Sequence, residues 1–138
     1  MCEALNKKFP ESGLLPNIHG TILAALNKPE MALKAFSKAI KNNPNFSDAH
    51  SNLGTVLITC GNLPAAVSSF KNALDVNAHN TTAYLGLGNV MLAKGKNVEA
   101  IKYFSEALAL GEKSGRAYFL LGNAYRGNLD NKKAIAYY

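Results

Sequence analysis

Residues 51–70 read SNLGTVLITCGNLPAAVSSF, and they carry the signal that decides the fold. Leu53, Val56, Leu57 and Cys60 are apolar at helical spacing. Just upstream, Ser47 or Asp48 offers an N-cap, so a first helix is expected from there to about Cys60. Gly61-Asn62 then ends it, glycine being suited to the left-handed position past a helix C-terminus. Pro64 opens a second helix, where its missing N–H leaves no bond unmade. Ala66, Val67, Phe70, Ala73 and Leu74 line the buried stripe of that helix. A pair of short helices like this cannot bury its apolar stripes alone.

The pattern recurs at a step of 34 residues. Leu53-Gly54 returns as Leu87-Gly88 and Leu121-Gly122, and one step back stands Gly20. Ala32, Ala66, Ala100 and Ala134 share the step, as do Phe36, Phe70, Phe104 and the final Tyr138. Three more columns agree: Ala39, Ala73 and Ala107; Leu33, Val67, Ile101 and Ile135; Ile40, Leu74 and Leu108. Stacked copies supply the core that one pair lacks, which makes the architecture a solenoid. Residues 1–138 are read as one domain, with units at about 13–46, 47–80, 81–114 and a shortened 115–138. Residues 1–12 read as the tail of a preceding unit. In the third unit the turn is Lys94-Gly95-Lys96-Asn97. Small residues let paired helices approach, so Gly54 is expected to face Ala66, with Phe70 and its equivalents filling the gap between units.

Period and columns resemble the tetratricopeptide repeat. The family's aromatic three residues before Leu is present as Tyr84 and Tyr118. Its Tyr three residues after Gly is kept at Tyr125 and replaced by Leu23, Leu57 and Met91. The alanine-to-aromatic pair is present in every unit, and the closing Pro survives as Pro44, with Ala78 and Glu112 in its later places. The resemblance implies an all-α fold, a right-handed superhelical solenoid of antiparallel helix pairs. It implies a protein–protein interaction scaffold that holds a peptide segment of a partner in its concave groove. The first unit departs from the pattern, with Pro16 and His19 in the aromatic and Leu places, so its first helix is expected to begin late or to be loosened. In the last unit Leu129 stands in the place of the turn glycine, with Gly127 two residues earlier. Lys7-Lys8-Phe9-Pro10 resembles the end of an earlier unit's second helix, and the chain stops at Tyr138 inside another. A window from a longer array is expected, with apolar edges through which copies self-associate.

Composition narrows the classes. At 48% hydrophobic and 17% charged residues, the 138-residue chain is globular rather than disordered. No apolar run approaches the roughly 18 residues of a membrane helix, and the N-terminus lacks the ordered regions of a signal peptide. A soluble, cytoplasmic protein without a membrane partner is expected. Cys2 and Cys60 suggest no disulfide framework. His19, His50 and His79 lack metal-ligand spacing, so neither metal nor cofactor is expected. No nucleophile elbow or phosphate-cradling loop is present, and Gly86-x-Gly88 lacks a third glycine, so no catalytic residue is assigned and no enzyme is expected. The net charge of +6 mildly favours acidic partners. Lysines 28, 34, 38, 41, 71, 102, 132 and 133 fall mostly on second helices, the convex side. Tyr84, Tyr103, Tyr118, Tyr125, Phe70 and Phe104 are assigned to the core. Nucleic acid is not expected as a partner, because that reading needs Lys interleaved with exposed aromatics.

What remains is the concave groove, lined in such arrays by the first helix of each unit. One column is Thr21, Thr55, Asn89 and Asn123, and another is Asn17, Ser51, Leu85 and Phe119. A third is Leu14, Asp48, Thr82 and Arg116, and a fourth is Ala24, Ile58, Leu92 and Arg126. The groove is polar near its N-terminal end. Near its C-terminal end Leu85, Leu92 and Phe119 lie beside Arg116 and Arg126. Asn89 and Asn123 are expected to hold peptide backbone amides, and the two arginines a carboxylate. Two specialised uses in the family are not matched. The Lys of the chaperone-tail clamp is replaced by Asn17. The asparagine ladder of glycosyltransferase-linked arrays would read Ile18, Asn52, Gly86 and Leu120, where only Asn52 fits. The alternative is a substrate-recruiting region of a larger glycosyltransferase- or sulfotransferase-type enzyme whose catalytic domain lies outside this chain.

Overall fold

The computed structural model describes residues 13–113 and 115–127. They form seven helices: α1 Leu14–Ala25, α2 Pro29–Asn42, α3 Ser47–Thr59, α4 Leu63–Val76, α5 Thr81–Ala93, α6 Asn97–Ala109 and α7 Gly115–Gly127. No strand occurs among the described residues. The chain divides into two compact units, Met1–Asn80 and Thr81–Tyr138, and the division falls on a repeat boundary. In the first unit α1 pairs with α2, α3 pairs with α4, and α2 packs on α3. In the second, α5 pairs with α6, while α7 packs on α6 and touches α5.

Each hairpin closes on a glycine and a phenylalanine. A Cβ on Gly54 would stand 2.7 Å from Cε1 of Phe70, and one on Gly20 would stand 2.6 Å from Cε1 of Phe36. A Cβ on Gly88 would strike the ring of Phe104. The three rings are at most 1% exposed. The group opposite Gly54 is thus Phe70 of the same hairpin, and not Ala66 as the sequence suggests. Helix axes pack 8–10 Å apart. An alanine methyl is too short to fill that space, and the phenylalanine ring beside bare backbone does so. In the first unit Leu23, Ala32, Ala35, Phe36 and Val56 form one core cluster, with Leu33 and Leu53 packed on it. Tyr84, Tyr103 and Tyr125 are half-buried. Tyr118 is 43% exposed, which corrects its assignment to the core.

The turns inside the hairpins share one solution. The N–H of Asn62 donates to Leu57 O and that of Gly61 to Ile58 O, both at 2.9 Å. The same pair of bonds recurs at Asn27–Lys28 and at Gly95–Lys96. This is the Schellman closure, and it needs a left-handed residue. Gly61 and Gly95 supply it at φ 81 and 75, and Asn27, the non-glycine best suited, at φ 59. Asn62 then caps α4, its side chain accepting from the N–H of Ala65 at 3.3 Å. Lys94-Gly95-Lys96 is a turn as expected.

The α2–α3 and α4–α5 connections use asparagine instead. The side chain of Asn43 accepts from the N–H of Asn45 at 3.2 Å, and that of Asn77 from the N–H of His79 at 3.0 Å. Gly111 occupies the equivalent place after α6 and has no such oxygen. There the helix ends by a left-handed turn at φ 101.

The expected cap on α3 is replaced by something else. Phe46 stands at the N-cap with no side-chain hydrogen bond. The Ser47 hydroxyl donates across to Ala73 O at 2.8 Å, and its oxygen accepts from Asn80 Nδ2 at 2.8 Å. Ser47 therefore ties the start of α3 to the end of α4. His50, buried in the aromatic place of this repeat, bonds Pro44 O through Nε2 at 2.8 Å. In the first unit α1 starts one residue later than Ser47's equivalent, Gly13. Gly13 sits at φ 68, and a Cβ there would lie 2.7 Å from Ala39 O. Pro16 is buried within the first turn of α1, where no N–H is missed. The expectations for residues 7–10, Leu129, Lys132, Lys133 and 134–138 lie outside the described residues.

Candidate binding face

The first helices carry the sequence-assigned groove residues, and the structure sorts these into two groups by unit. In the first unit, Asn17 on α1 and Asn52 on α3 are both half-buried, and Asn52 Nδ2 donates to Asn17 Oδ1 at 3.1 Å. Thr21 is exposed and turns its hydroxyl back to Asn17 O at 3.0 Å. Thr55 does the same to Ser51 O at 3.1 Å. Threonines on helices often satisfy themselves this way on the carbonyl four residues back. Both hydroxyls are turned to their own helix rather than outward.

Ser51 does not line the face. It is 2% exposed, donates to Asp48 O at 3.0 Å and lies 3.4 Å from Asn80 Nδ2. The reason is Asn80, whose buried amide reaches back over the start of α3. Asn52, set aside in the sequence as an isolated ladder remnant, takes the place of Ser51 through its bond to Asn17. These two are 35 residues apart, one off the period. Columns align equivalent positions, whereas neighbours on stacked helices meet at an offset.

In the second unit α5 carries Leu85, Asn89 and Leu92, all half-buried. On α7, Arg116, Phe119 and Arg126 are exposed, Phe119 at 56%, and Asn123 is half-buried. Their spacing keeps the four α7 residues on one helix face. Arg126 Nη2 donates to Asn123 Oδ1 at 2.9 Å, so a cation and an amide stand side by side next to an exposed ring. The face pairs apolar contact with charge and offers hydrogen-bonding groups. Among the described residues no group of three or more His, Cys, Asp or Glu could hold a metal ion, and no helix is long and apolar enough to cross a membrane.

Models of the tetratricopeptide repeat match residues 59–114 and 92–138, residues 35–68 and residues 17–46. The chain belongs to the tetratricopeptide repeat family. Two crystal structures of MamA are similar to this repeat protein at TM-scores of 0.83 and 0.84, each with 22% identity. Each covers 99% of this chain, against 74% and 80% of the MamA chains. PilF of Pseudomonas aeruginosa is similar at a TM-score of 0.82 and 19% identity, over 99% of this chain and 62% of PilF. These likenesses show the fold, an all-α tetratricopeptide solenoid. No curated protein matches the chain by sequence. As a member of this family, whose fold is generally a non-catalytic one, the repeat protein is a protein-interaction scaffold.

Proposed function

We propose that the face formed by α5 and α7 binds an extended peptide segment that carries a carboxylate. The observation that carries this reading is the 2.9 Å bond from Arg126 to Asn123 beside exposed Phe119. That bond holds the guanidinium alongside the amide, so less side-chain freedom is lost on binding. Asn89 and Asn123 serve the peptide backbone, since an asparagine amide both donates and accepts. Arg116 and Arg126 take the carboxylate, for which a guanidinium fork is shaped. Leu85, Leu92 and Phe119 cover an apolar side chain between them.

The test is to select peptides against the chain from a random library and to titrate the best by calorimetry. Alanine at both Asn89 and Asn123 is expected to abolish binding. Unchanged affinity in that double variant refutes the reading.

A further inference from the structure

We draw no further inference here: the strongest candidate, the half-buried amide pair of Asn17 on α1 and Asn52 on α3, has its Asn52 in the place of the family's asparagine ladder, so a peptide site there restates a known use of the fold.

Discussion

The ring of Phe70 lies where a side chain on Gly54 would begin, its Cε1 only 2.7 Å from an ideal Cβ at that position. The contact sets how closely α3 and α4 approach, and the same contact recurs in the α1–α2 and α5–α6 hairpins. Gly54→Leu is therefore expected to force the helices apart and to destabilise by about 1–3 kcal/mol. Phe70→Ala is expected to cost about 3–5 kcal/mol by leaving a cavity. Because both act on one space, the Gly54→Leu, Phe70→Ala double variant should be less damaged than the sum. Urea denaturation followed by circular dichroism measures all three.

The link from Asn80 to Ser47 gives a second prediction. Asn80 is 5% exposed and its amide donates to a hydroxyl that itself donates to Ala73 O. Asn80→Ala is expected to cost about 1–3 kcal/mol, the range for disturbing a buried hydrogen-bonded group. A cycle with Ser47→Ala should show coupling, since both substitutions break the same bond. Additive losses in that cycle would mean that the two residues act separately.

Turn backbone can be separated from packing at Gly61. Its φ is 81, and nothing lies within 4 Å of a Cβ built there. Gly61→Ala is therefore expected to cost about 1–2 kcal/mol from left-handed strain alone. Gly61→Asn should cost less, because Asn27 already adopts this conformation in the first hairpin. Thermal melts of the two variants, compared directly, decide it: equal losses would point to something other than backbone conformation.

The α5–α7 face predicts a pattern of salt dependence. For a carboxylate-bearing peptide, Arg116→Ala with Arg126→Ala should weaken binding and flatten its response to salt. Arg126→Lys should not restore the affinity, since a lysine cannot present the planar fork. Amidation of the peptide's acidic group should mimic the arginine loss. Titrations at two salt concentrations read out each case.

Much of this was legible in the chain itself. The 34-residue step, the Leu-Gly pairs and the alanine-to-aromatic pairs are set by periodicity, so helices, turns and the packing role of the glycine column could be read from one strand of text. Gly61 and Gly95 announced their turns because few other residues tolerate that backbone. Side-chain partnership was another matter. Ser47 looked like a cap and instead bridges to α4, because the choice between a local N–H and Ala73 O depends on where α4 ends in space. Ser51 shares a column with Asn17 yet is sealed by Asn80, 29 residues on. Asn52 looked isolated and pairs with Asn17 across stacked helices. The sequence by itself determined the repeat and the elements, since both follow from local spacing. The tertiary structure decided which polar groups meet and which apolar ones stay exposed, since those depend on distances between residues that no local period encodes.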